Sequence, residues 1–103
     1  MAESKAERVA WITGGATGIG LATAKALGEA GWTVVLSGRR AQALDEAVAT
    51  LPGVRASTQP LDVADAAAVE KAASAIVAQH GRIDALVASA GTNVPDRAWK
   101  RLR

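Results

Sequence analysis

The sequence predicts an α/β fold, a doubly wound parallel sheet with helices on both faces, running β-α-β-α-β-α-β. Three observations carry that prediction. Short unbroken apolar runs alternate with segments of helical period, as in buried parallel strands joined by crossover helices. The connections between them are only a few residues long. A glycine-rich segment stands where the first strand hands over to the first helix. Right-handed crossovers then give the strand order 3-2-1-4.

Taken in order, residues 1–7 are charged and read as a disordered leader. Residues 9–13 form the first strand. Residues 19–30 form the first helix, with Ile19, Ala22, Ala26 and Ala30 expected on its sheet-facing side and Gly31 as its stop. Thr33-Val34-Val35-Leu36 is the second strand. Residues 41–51 form the second helix, with Leu44, Val48 and Leu51 on one face and Pro52-Gly53 as breaker. Residues 54–61 form a weaker third strand, diluted by Ser57, Thr58 and Gln59 and limited by Pro60. Residues 64–80 form the third helix, with a stripe of Val69, Ala73, Ile76, Val77 and His80 ending at Gly81. Residues 83–88 form the fourth strand. From residue 92 to 103 the chain turns polar and basic.

Composition narrows the function classes. At 103 residues the chain is one domain at most. Its 25 alanines bury little area, so the core falls to Val, Ile, Leu and the three Trp. A net charge of +2 is too small a bias to point to nucleic acid or a membrane surface. With no cysteine there is no disulfide, thiol nucleophile or Cys-ligated metal. The N-terminus has no apolar signal core and no apolar run approaches a bilayer-spanning length, so a soluble cytoplasmic protein is expected.

Thr13-Gly14-Gly15-Ala16-Thr17-Gly18-Ile19-Gly20 lies at the strand-to-helix junction. There the N–H groups of a helix start point outward unpaired and the dipole favours an anion. Glycines let the chain turn tightly and let a pyrophosphate come close. A P-loop is excluded, because Leu21 and Ala22 follow Gly20 where Lys and Ser/Thr are required. The G-x-G-x-x-G fingerprint fails as well, since Thr23 stands at its third glycine.

The pattern is T-G-x-x-x-G-x-G at a strand end, and in this the chain resembles the short-chain dehydrogenase/reductase family. Further segments follow in the family's order. Ser37-Gly38-Arg39-Arg40 falls where ribose recognition is expected, with Gly38 where NAD-preferring relatives carry an acid. Arg39 beside it suits a 2′-phosphate, which puts NADP ahead of NAD. Leu61-Asp62-Val63-Ala64-Asp65 matches the segment after the third strand, and Gly81-Arg82-Ile83-Asp84 the run into the fourth. Ala88-Ser89-Ala90-Gly91 stands where the family has Asn-Asn-Ala-Gly, keeping its second half only.

The resemblance implies a Rossmann-like half-fold over residues 8–91 that binds NADP(H). Gly14, Thr17, Gly18, Ile19 and Gly20 are expected at the pyrophosphate, and Ser37 and Arg39 at the ribose and its phosphate. Asp62 and Val63 are expected at the adenine, and Ala90 and Gly91 along the cofactor. Asp65 is the better placed of the two aspartates to cap the third helix. Trp11 and Trp32 read as packing residues, and His80 as a residue favoured by the dipole at a helix C-terminus.

In the family a Ser and a Tyr-x-x-x-Lys pair beyond the fourth strand act on a small carbonyl or alcohol. This chain contains no tyrosine, so no catalytic residue and no metal ligand is assigned, and the segments relatives use to oligomerise are not represented. The expectation is the cofactor-binding half of an NADP-dependent oxidoreductase, or else a non-catalytic NADP-binding remnant. A four-stranded, alanine-rich sheet with an open fourth strand is also expected to be marginally stable alone. Incubating these 103 residues with NADPH and a panel of aldehydes and ketones is expected to give no turnover; sustained NADPH oxidation by the pure chain contradicts that expectation.

Overall fold

A computed structural model describes residues 8–14, 16 and 18–88. The expected leader and basic tail lie outside the described residues, as do Thr17, Ala90 and Gly91. The elements are β1 (Val9–Thr13), α1 (Gly18–Glu29), β2 (Thr33–Ser37), α2 (Ala41–Ala49), β3 (Ala56–Thr58), α3 (Ala66–His80) and β4 (Ala85–Ala88). All pairings are parallel and the strand order is β3-β2-β1-β4, as the alternating pattern predicts.

Parallel pairing buries β1 on both faces, and all five of its residues are buried. Its alternate residues feed two separate cores. Ala10 and Ile12 join Val34 and Leu36 beneath Ala24 of α1 and Leu44 and Ala47 of α2. Val9 and Trp11 join Val35 and Leu61 beneath Ala72 and Ile76 of α3. Thus α1 and α2 cover one face of the sheet and α3 the other. Each fully buried Val, Leu or Ile contributes about 1.5–3 kcal/mol.

Two predicted helix faces are corrected. Ile19, Ala22, Ala26 and Ala30 are exposed, Ile19 at 78%. Gly20 and Ala24 face the sheet instead, with Leu21 and Leu27 half-buried beside them. Only Thr23, Lys25 and Glu29 are polar on α1, so apolar spacing admitted the stripe through Ile19 as readily as the observed one, and the two leucines with the small Gly20 and Ala24 set the close-packed side. On α3 the buried residues are Ala72 and Ile76, while Val77 is 46% exposed. Leu44 and Leu51 are buried as expected, Leu51 lying beyond the end of α2.

Boundaries shifted where side chains took over backbone hydrogen bonds. The third helix starts at Ala66, not residue 64, because Asp65 caps it by accepting the Ala68 N–H at 3.1 Å. Just before it, Asp62 Oδ1 accepts the Ala64 N–H at 2.9 Å and closes a turn. The third strand shrinks to Ala56–Thr58, as its polar residues and Pro60 foreshadow. The fourth strand starts at Ala85, two residues late, because Asp84 pairs through its side chain. Its Oδ2 accepts the Val9 N–H at 2.8 Å while its own N–H donates to the Val9 carbonyl at 2.8 Å. Arg82 holds the same carboxylate through Nε and Nη2, at 2.7–3.0 Å.

The approach of α1 to the loop before β3 depends on Gly28. A Cβ there would lie 2.8 Å from Val54 Cγ2 and closer still to Cγ1. Gly28→Ala gains about 1 kcal/mol of helix propensity, but overpacking against a stiff β-branched side chain costs about 1–3 kcal/mol. The expected net result is a loss of stability of about 1 kcal/mol, read as a lower urea midpoint with an unchanged slope.

The Arg82 guanidinium, and after it the Val9 N–H, hold the Asp84 carboxyl below the usual carboxylate range. It binds a proton less readily folded than unfolded. Its contribution is therefore complete above its unfolded-state pKa and is lost as pH falls through the lower folded value. Asp84→Asn is expected to flatten the dependence of thermal stability on pH in the acid range below about 4, measured by melting the two proteins across that range.

Candidate cofactor-binding site

The candidate site lies at the carboxyl ends of the strands, where β1 is flanked by β2 on one side and β4 on the other. In open α/β sheets this reversal of strand order leaves a crevice for ligands. The chain leaves β1 at Thr13 and turns through Gly14, whose φ of 71° is left-handed. Gly18, at φ 53°, is the first residue of α1. A Cβ on Gly18 would meet no atom of the described residues within 4 Å, so it is the backbone conformation that demands glycine. The first turn of α1 carries no acidic residue to offset the positive end of its dipole. Ile19 stands exposed beside it, and Gly20 is buried against the sheet.

Three segments converge on this turn through backbone hydrogen bonds. Gly14 N–H donates to the Ser37 carbonyl at 2.8 Å, carrying the β1–β2 ladder one residue beyond the strand. Gln59 N–H donates to the Leu36 carbonyl at 2.9 Å, and Leu61 N–H to the Gly38 carbonyl at 2.8 Å. The glycine turn, the turn after β2 and the segment after β3 are therefore stitched side by side.

On that frame Arg39 is exposed, between half-buried Gly38 and exposed Arg40. Arg40 makes no side-chain cap bond at the start of α2. Asp62 is exposed, and Val63 is half-buried against the α3-side core. Ser37 sits differently from the others. It is fully buried, and its Oγ accepts the indole Nε1–H of Trp11 at 2.7 Å. Trp11 was expected only to pack; its hydrogen bond is the feature sequence reasoning missed. The available signal was a polar residue closing an otherwise apolar strand, opposite an indole that needs an acceptor when buried.

His80 is far from the turn. It ends α3 near the strand beginnings, beside Val9, Thr33 and Ala56. Its Nε2 is buried without a hydrogen-bond partner among the described residues, and the C-cap is made by Gly81 in the left-handed conformation. Trp32 packs beside the sheet as expected, with the Arg8 guanidinium 5.8 Å over its ring. Among the described residues there is no cluster of three metal-ligating side chains, and no helix long and apolar enough to cross a membrane.

A family model described as short chain dehydrogenase matches residues 8–102. The cis-4-hydroxycyclohexanecarboxylate dehydrogenase of Sinomonas cyclohexanicum is 39% identical, over 99% of this chain and 45% of its own length. Among solved structures, an actinorhodin polyketide ketoreductase with NADPH superposes with a TM-score of 0.80 at 31% identity, over 92% of this chain and 40% of its own. The L-sorbose reductase of Gluconobacter frateurii, complexed with NADPH and L-sorbose, gives 0.78 at 34% identity, over 91% and 40%. The chain thus spans less than half the length of these relatives.

Proposed function

This chain belongs to the short-chain dehydrogenase family, and from that premise we propose that residues 8–91 hold NADP(H) as the cofactor-binding half of an oxidoreductase. The observation that carries the reading is the left-handed Gly14–Gly18 turn from β1 into α1 at the reversal of strand order. It fits a pyrophosphate: a helix start leaves its first N–H groups without intrahelical partners, and the first turn of α1 carries no acidic residue.

The residue roles we propose are those the family resemblance implies. Gly14, Thr17, Gly18, Ile19 and Gly20 surround the pyrophosphate. Arg39 pairs with the 2′-phosphate, and Gly38 presents no carboxylate to repel it. Asp62 accepts from the adenine amino group while Val63 flanks the ring. Ala90 and Gly91 let the cofactor lie across the strand ends. When bound, the nicotinamide exchanges hydride with a carbonyl or alcohol carbon. For the whole protein we assign a small carbonyl or alcohol substrate and a cytoplasmic setting. NADPH in two structural neighbours supports the choice of cofactor.

A second reading is nucleotide binding without turnover by these 103 residues themselves, which hold no tyrosine. Calorimetric titration addresses the binding common to both readings. The chain is expected to bind NADP⁺ more tightly than NAD⁺. Arg39→Glu is expected to weaken NADP⁺ by about ten-fold or more, the worth of a charge-assisted hydrogen bond, and to leave NAD⁺ nearly unchanged. A chain that binds neither nucleotide overturns the proposal.

A further inference from the structure

Ser37 does two things at once. Its carbonyl accepts the Gly14 N–H and so holds the phosphate turn. Its hydroxyl accepts the Trp11 indole N–H in a fully buried bond of 2.7 Å. One residue later comes Gly38, whose carbonyl holds Leu61, and then Arg39. Trp11 is 3% exposed and belongs to the same core cluster as Leu61, with Val63 packed against it. The buried indole thus bonds the residue that holds the glycine turn and shares a core with Leu61 and Val63 of the segment after β3.

We propose that Trp11 is a positioning residue for 2′-phosphate recognition, acting through Ser37 to set the backbone from which Arg39 projects. The inference rests on the reading that NADP(H) binds at this turn. Three observations support it. Ser37 is fully buried, so its hydroxyl faces the core and not a ligand. A buried indole N–H and a buried hydroxyl each lose their partner if the other is removed, so the strand end shifts to find a new one. Arg39 is exposed two residues after Ser37, and the forked pairing proposed for it fails with small displacements of the backbone that carries it. NAD⁺ lacks the group Arg39 would hold, so its binding is insensitive to that displacement.

The test is calorimetric titration of NADP⁺ and NAD⁺ into the chain and three variants: Trp11→Phe, which keeps an aromatic ring but loses the donor, Ser37→Ala, which keeps the indole but loses the acceptor, and the double variant. The readout is the ratio of the two affinities within each protein, so any change in folded fraction cancels. The expected result is a fall in NADP⁺ preference of about five-fold in each single variant, the size of one lost hydrogen bond. The double variant should be no worse than either single, because both remove the same bond. Equal losses for both nucleotides, or additive losses in the double variant, would mean a purely structural role and overturn the inference. So would a fall confined to Ser37→Ala, which would place the serine against the ligand. Failure of the unsubstituted chain to bind either nucleotide overturns the binding reading itself, and this inference with it.

Discussion

The hydrogen bond from Gly14 N–H to the Ser37 carbonyl is the constraint on which the candidate site depends. A glycine turn with two left-handed residues has many accessible conformations, and its use as an anion cradle requires one of them. Extending the β1–β2 ladder by one rung selects that conformation. The ladder is itself fixed, because β1 is buried on both faces and a slip of one residue would exchange its two cores. Trp11 cannot trade places with Ile12 without abandoning its acceptor. Side-chain volume and hydrogen bonding therefore specify the same register.

The two faces of the sheet do different work. On the α1–α2 side the contacts are close and wholly apolar, with small Ala10, Ala24 and Ala47 bringing the helices near. The glycine at position 28 shows how near, since not even a methyl group fits against Val54. On the α3 side the core contains, among the described residues, the bulkiest buried side chain, Trp11, and the one buried serine, Ser37. That face carries the polar accounting of the site: an indole donor, a hydroxyl acceptor, and the segment from Leu61 to Asp65 that turns, caps and returns as α3.

Sheet order, helix number and the glycine turn were legible because each rests on a strong local signal. Apolar runs such as Val9-Ala10-Trp11-Ile12 have only one reading as buried parallel strands, and short connections force the crossovers. Legibility failed where signals were degenerate or nonlocal. Helix α1 has only Thr23, Lys25 and Glu29 as polar residues, so the exposure of Ile19 and Ala22 depended on packing that its weak periodicity did not encode. The late start of β4 depended on Asp84 finding Val9, and the role of Ser37 on Trp11, pairs far apart in the chain. Asp65 as cap was legible, since helix N-caps are written within four residues of sequence.

The Asp84 clamp also bears on the order in which the molecule assembles. Val9 and Asp84 are separated by 75 positions, and the chain between them must be closed into a loop before their bonds return anything. The β1–β2 pairing spans far less chain and includes the Gly14–Ser37 rung, so it forms early. During synthesis the glycine turn and the turn bearing Arg39 leave the ribosome together, well before β4 exists to dock. The glycine turn and its neighbour after β2 are thus built from the fast, short-range part of the topology, and β4 docks later on a template already in register.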